Sequence, residues 1–456
     1  VVQFAAALWR HVSKRKGDAE IAGALFSLHR GLPFGGQINL APYASQHALS
    51  RAKPGKKASV REPMPGVLIF RSELLAISET FIAAQAGALR RFTPRFAGLR
   101  RVNPSLALPQ DAIVAGERHV RLYKELGIAP AFHRQIRAAE VRLVHAHFAL
   151  DGVLALPIVR RLQVPLVVTL HGYDVTVSDE VLSQSRTGRL YLKRRRQMWQ
   201  EASVFLCVSE FLRGAALKAG FPEAKLRVHS IGVDRREFPV RTLPADPCSV
   251  LFVGRLVEKK GCEVLIRAMQ TVQQGIPHAT LTVVGDGPLR KSLEELAAAL
   301  GVRCEFTGAA GSSLVQQLLR QAAVVCVPSR TAANGDSEGL PIVVLEAQSI
   351  GVPVVGTRHA GIPEAVLHGQ TGLLSAEGDV TALAANLMLL LQNEKLRLEY
   401  GARGAQRIAE RFDLLSQTGQ LEEIYDEVVQ PGRTADPSAT LRFARDDREV
   451  VGSRIG

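Results

Sequence analysis

Short, continuous apolar runs recur along the chain, separated by longer stretches whose apolar residues fall every three or four positions. VLIF (67–70), LVHAHF (143–148), PLVVTLHG (165–172) and VFLCVS (204–209) make a first series. SVLFVGR (249–255), TLTVVGDG (280–287), VVCVPS (324–329) and VPVVGT (352–357) make a second. The runs are rich in β-branched residues and do not alternate with polar ones, which predicts strands buried on both faces of a parallel sheet. Segments between them, such as CEVLIRAMQTVQQ and RKSLEELAAALG, have helical spacing. This alternation predicts an α/β, doubly wound architecture. The Pro- and charge-rich DRREFPVRTLPADPC (234–248) divides the two series. Two Rossmann-like domains are therefore expected, at 67–240 and 247–412, followed by a helix at 413–430.

The flanks read differently. Residues 1–66 lack a sustained pattern, carry ten Lys/Arg against three Asp/Glu, and end in AKPGKKASVREPMPG. A basic, poorly ordered extension is expected there, and a disordered polar tail at 431–456. At 456 residues, with 46% hydrophobic and 22% charged side chains, the chain is ordinary globular material with enough apolar mass for two cores. No apolar stretch approaches the roughly 18–20 residues that cross a bilayer. The opening VVQFAAALW is too short, and has no charged region before it, to read as a signal peptide. Five dispersed cysteines without a CxxC pair argue against a disulfide framework and a zinc site, so a cytoplasmic location is expected.

The net charge of +14 is partly local. Besides the first 66 residues, Lys193–Arg196 form a basic run just before Trp199. Such clusters attract an anionic membrane surface, phosphorylated substrates or nucleic acid. A solvated basic surface accounts for them equally well. No recognition motif for DNA or RNA is present, so nucleic acid is not an expected partner.

The richest candidate chemistry lies in PSRTAANGDSEGLPIVVLEA (328–347). It starts at the end of a predicted strand and enters a helix. Gly339 allows a tight turn, and Pro341 suits a first helical turn. The N–H groups at such a helix start form an anion site suited to a diphosphate. Glu338 lies in the loop ahead, and Glu346 about one and a half turns in. The two carboxylates suit gripping hydroxyls of one ligand better than acid/base work; a capped helix with two surface glutamates is the plainer alternative. In FVGRLVEKKG (252–261), Gly254 and Arg255 end a strand, and Lys260 precedes a helix. At the carboxyl edge of a parallel sheet both cations point where ligands bind, and such charges neutralise a departing phosphate. VVGDGPLRKSLEEL lacks the third glycine of a dinucleotide fingerprint and reads as a simple strand-to-helix turn. His145, His147 and His171 do not have metal-site spacing; His171, at a strand end before Gly172, is the best cleft residue. Ser78 and Glu79 in SETFI read as a helix cap.

In order, VGRLVEKKG, VVGDGP, DSEGLPIVVLEAQSIGVPVVGT, HAGIPEAV and TGLL closely resemble the second half of the retaining glycosyltransferases of family 4, which have the GT-B fold. SETFI, HAHF and TLHGYD resemble the members that build bacterial exopolysaccharides, including colanic acid. The resemblance covers residues 67–430 and implies two Rossmann-like domains facing across a cleft. It implies that Arg255 and Lys260 bind the donor diphosphate, Glu338 the donor sugar and Glu346 the ribose. Gly254, Gly339, Leu340 and Pro341 would complete the donor site, with His171 across the cleft. It further implies a nucleotide-sugar donor (UDP- or GDP-linked), a lipid-linked or oligosaccharide acceptor, and no cofactor or metal; the cleft motifs contain no DxD-like cluster. The alternatives are a nucleotide-sugar 2-epimerase and a non-catalytic sugar-nucleotide binding protein. Two departures stand out. FRSELLAISETF replaces the Gly-Gly loop common after the first strand, and AGIPE (360–364) replaces GGIPE.

Overall fold

The computed structural model describes residues 64–430, except 75, 77–78, 103–111 and 243–244. The basic extension to residue 63, Ser78 and the tail from 431 lie outside the described residues.

All strands of the first sheet run parallel: β1 (Gly66–Phe70), β2 (Thr93–Gly98), β3 (Ile113–Val114), β4 (Val141–His147), β5 (Leu166–Leu170), β6 (Val204–Cys207) and β7 (Leu226–Val228). Their spatial order is β3-β2-β1-β4-β5-β6-β7. The second sheet comprises β8 (Ser249–Val253), β9 (Thr280–Val284), β10 (Cys304–Gly308), β11 (Val324–Val327), β12 (Val354–Thr357) and β13 (Gly372–Ser375), ordered β10-β9-β8-β11-β12-β13. Each sheet thus reverses direction once, between β1 and β4 and between β8 and β11. The crevice at the carboxyl ends of such strands is where doubly wound sheets bind ligands. The eight expected strands are present, and the fold is the α/β, two-lobed arrangement anticipated.

The strands not anticipated are the weak ones. β2 carries Pro94, tolerated because β3 pairs only with Ala97 and Gly98 and leaves Pro94 on a free edge. β10 is an edge strand with partly exposed side chains, so it lacks the apolar run that betrays a central strand.

Helices cover both sheets. On the first lobe they include α1 (Thr80–Gly87), α2 (Glu117–Leu126), α3 (Pro130–Ala138), α4 (Ala149–Leu162), α5 (Arg186–Glu201) and α6 (Glu210–Lys218); on the second, α7 (Cys262–Gly275), α8 (Arg290–Ala299) and α9 (Ile342–Ile350). GDGP joins β9 to α8 as the turn expected of it. Among the described residues no helix is long and apolar enough to cross a membrane.

The last helix, α10 (Leu414–Val429), returns to the first lobe. Its buried Glu422 accepts the backbone N–H groups of Arg90 (2.7 Å) and Arg91 (2.6 Å), and Tyr425 packs edge-on against Phe92. The Tyr425 hydroxyl is hydrogen-bonded to His145 Nδ1 (2.6 Å), while Nε2 of that ring meets Thr169 Oγ1 (2.7 Å). Burial pushes His145 down to about 3, so the ring is neutral and both nitrogens are occupied. One apolar cluster then continues from Val168 and Leu212 through Leu340 to Val344, joining the lobes. Replacing Tyr425 by Phe strands one buried ring nitrogen; we expect a loss of about 1–3 kcal/mol, read by chemical denaturation. An unchanged unfolding midpoint would show that this hydrogen bond contributes nothing.

Candidate active site

The β8–β11 switch point brings two motifs together that are some 70 residues apart in sequence. After β8 the chain runs through Gly254 and Arg255 to Lys260; after β11 it runs through Arg330 to Glu338. Cross-loop ion pairs stitch these segments. Arg330 reaches Glu258 and Glu263 (both 3.3 Å), Lys259 reaches Asp336 (2.9 Å), and Lys260 Nζ lies 2.8 Å from Glu338 Oε1. That oxygen is buried and has the ammonium beside it without a well-aligned hydrogen bond. Burial alone would raise the Glu338 carboxyl. Lys260 and Lys259 outweigh it and hold the group below the usual carboxylate range.

A third segment supports Glu338 from behind. Its backbone N–H donates to His359 Nε2 (3.2 Å), and His359 Nδ1 faces Glu377 Oε1 at 2.7 Å. A backbone N–H can only donate, so Nε2 accepts here and Nδ1 is the nitrogen that faces the Glu377 carboxylate. His359 is buried and was not singled out from the sequence, although it opens the HAGIPEAV motif. The next residue, Ala360, has φ +49, the left-handed region in which a glycine would be unstrained.

The remaining expected residues take varied positions. Arg255 is exposed and has no partner among the described residues. The N–H groups of Gly339 and Leu340 likewise donate to no described residue. Pro341 caps α9 rather than occupying its first turn, with Leu340 buried beside it. Glu346 lies within α9 and does not touch the Lys260–Glu338 pair; burial and the nearby Glu237 push its carboxyl up to about 7.

Across the cleft, the carboxyl ends of β1, β4 and β5 assemble a second cluster. His171 Nε2 lies 3.1 Å from His147 Nδ1, and its ring is flanked by Phe148 (4.6 Å between centroids) and Phe81 (5.2 Å). Burial, then Arg71, pushes His171 down to about 3, so it is uncharged at neutral pH. The three histidines stack in series; among the described residues none forms a metal-holding group. Arg71, in the loop replacing Gly-Gly, is another residue that sequence reasoning missed. It binds Glu79 through two nitrogens (2.5 and 3.0 Å), pairs with buried Asp151, and lies 4.4 Å over the Phe148 ring. Glu79 occupies the N-cap position of α1, as SETFI suggested, but its carboxylate is engaged by Arg71 and makes no capping hydrogen bond.

The lobes touch through glycine. Gly172 has φ +137, and a side chain there would come within 2.7 Å of Ser337 O; one at Gly339 would meet His171 O at 2.5 Å. Polar contacts reinforce this seam. Ser337 N–H donates to Thr176 Oγ1 (3.2 Å), and Glu364 accepts the first N–H groups of α6, from Glu210 (2.9 Å) and Phe211 (3.1 Å).

Comparison with known proteins agrees with this architecture. The profile for "Glycosyl transferases group 1" matches residues 233–407, and that for "Glycosyltransferase Family 4" matches residues 87–237. Relatives bearing the name colanic acid biosynthesis glycosyltransferase WcaL are 35% identical in Escherichia coli and 33% in Salmonella typhimurium. The alignments cover 54% and 61% of this chain and 61% and 69% of those proteins, so the first spans about three fifths of its relative's length. Anabaena HepE, solved in complex with UDP, superimposes with a TM-score of 0.65 at 22% identity, covering 80% of this chain and all of that one. The chain belongs to the family 4 glycosyltransferases, with the GT-B fold.

The raised Glu346 carboxyl gives a sign-determinate test. A folded-state value of about 7 above an unfolded one near 4.5 means that ionisation opposes folding. The cost is absent at pH 4 and grows as pH rises to about 7. Glu346→Gln should therefore match wild type at pH 4 and become more stable by up to about 3 kcal/mol at pH 8, measured by denaturant titration without ligand. Parallel stability curves across that range would contradict the burial argument.

Proposed function

We propose that this chain is a retaining glycosyltransferase that moves a sugar from a UDP- or GDP-linked donor to a lipid-linked or oligosaccharide acceptor in exopolysaccharide synthesis. The observation that carries this reading is the largely buried Lys260–Glu338 pair at the switch point of the second sheet. Unliganded, the two charges satisfy each other. A nucleotide sugar supplies a better partner to each: its diphosphate to the ammonium, its hydroxyls to the carboxylate. Arg255, without a partner among the described residues, takes the second phosphate. The N–H groups of Gly339 and Leu340 add donors, with Gly254 and Pro341 shaping the two loops. Glu346 takes the ribose hydroxyls, which repays the cost of ionising it.

Chemistry then follows from the charge distribution. The bond from the anomeric carbon to the phosphate oxygen breaks as the acceptor oxygen bonds to the same face. The acceptor proton passes to the departing diphosphate, whose charge Arg255 and Lys260 neutralise. His171, uncharged and backed by His147, lies on the opposite lobe as a polar group that adds no charge beside the developing cation. The glycine seam brings the lobes close enough to exclude water. The reaction needs no metal in this reading, and it places the chain at the inner face of the cytoplasmic membrane, where such acceptors reside.

In a thermal-shift panel of nucleoside diphosphates and nucleotide sugars, the true donor should stabilise the wild type by mass action. Lys260→Ala should abolish that shift. With the matching donor and a membrane lipid extract as acceptor, Lys260→Ala and Glu338→Gln should each lower nucleoside diphosphate release by about 10²–10³-fold. Undiminished turnover in both would sink the assignment. Appearance of an isomeric nucleotide sugar from donor alone would favour epimerisation instead.

A further inference from the structure

The basic run 193–196 and the end of α4 meet on the flank of the first lobe. Two shallow hollows of about 560 and 520 Å³ lie along α5. Arg160, Arg161, Lys193 and Arg194 line the first, Arg195 and Arg196 the second, and among the described residues no acidic one lines either. Two of these cations are already matched, Arg160 by Glu201 and Arg195 by Asp179. The other four have no carboxylate partner among the described residues. Arg161 and Arg194 donate to backbone carbonyls, while Lys193 and Arg196 have no partner among the described residues.

Apolar side chains share this face. Leu126, which lines the first hollow, is 63% exposed, and its neighbours Leu122 and Ile128 are 41% and 40% exposed. Trp199 lines the second hollow beneath Arg195. Unmatched cations bordered by exposed leucines are what an anionic bilayer surface takes: headgroup phosphates meet the charges, and the apolar side chains enter the acyl boundary. Nucleic acid would use the charges and leave the leucines unexplained. We propose that this flank docks the protein on an anionic lipid membrane. α4 starts at the cleft, where the Ala149 N–H donates to Asp174. Arg160 lies eleven residues further, about 16 Å along the helix, so a docked bilayer leaves the cleft open. The inference extends the lipid-linked acceptor reading but stands on charge and exposed area alone.

The full chain is sedimented with phosphatidylcholine vesicles, with and without about one-third phosphatidylglycerol. Wild type should bind only the anionic vesicles, and less in high salt. Lys193→Glu/Arg194→Glu/Arg196→Glu should bind at least about ten-fold more weakly. The matched reversal on the second lobe, Arg267→Glu/Lys291→Glu/Lys395→Glu, should stay within about two-fold of wild type. Leu126→Ser should lower the binding that survives high salt. Equal binding by both triple variants, no wild-type binding to anionic vesicles, or preferential capture by an oligonucleotide overturns the proposal. The nucleotide thermal shift, measured on the same flank variant, should be unchanged; it reports separately on folding and on the glycosyl-transfer reading.

Discussion

A lysine and a glutamate 2.8 Å apart in a mostly buried setting are the constraint around which the second lobe is arranged. Neither charge could be buried alone without severe cost. The pairing requires the loop after β8 and the loop after β11 to lie side by side, which the reversal of strand order ensures. Arg330, Lys259 and their acidic partners add cross-links, so the two loops act as one rigid unit. His359 then fixes the Glu338 backbone from the far side. The result is a charge pair whose two members satisfy each other at the switch point of the second sheet.

The first lobe reaches a comparable end by different means. Its switch point holds Arg71 between Glu79 and Asp151, and the guanidinium rests on Phe148, which in turn flanks His171. Burial lowers the basicity of Arg71, but the two carboxylates outweigh it and keep the group firmly protonated. With its charge already matched, Arg71 orders the loop and leaves His171 neutral beside it. The substitution of FRSELL for a glycine loop therefore trades backbone approach for a fixed ionic scaffold. This is why the cleft face of this lobe is organised by side chains rather than by open N–H groups.

The two lobes are not joined by a linker alone. α10 crosses back to the first sheet and buries Tyr425 and Glu422 there. The seam at Gly172 and Gly339 lets backbone meet backbone, and Glu364 caps α6 from the opposite lobe. Burial raises the Glu364 carboxyl, and the two N–H groups that it accepts pull it partly back. Opening the cleft would expose these groups to water together, so the seam couples the geometry of the loop holding Glu338 and Gly339 to that of His171.

Much of this was legible in the chain itself. Central strands are continuous apolar runs because both faces are buried, so β1, β4–β6, β8, β9, β11 and β12 declared themselves. The motifs at 252–261 and 328–347 were visible because tight turns and helix starts demand particular residues at fixed spacing. β2, which β3 covers over two residues only, and the edge strand β10 were silent, since a half-exposed strand needs no such run. Contacts between residues far apart in sequence were silent for a deeper reason. Nothing local to Arg71, Glu79, His359 or Glu364 states which partner it meets; SETFI reads as a cap until Arg71 is brought alongside. Local pattern determined the elements, the two-lobed architecture and the residues able to carry charge. Only the tertiary fold decided which charges pair, which stay open and which share a face with exposed leucines, because electrostatic and apolar contacts depend on distance in space and not along the chain.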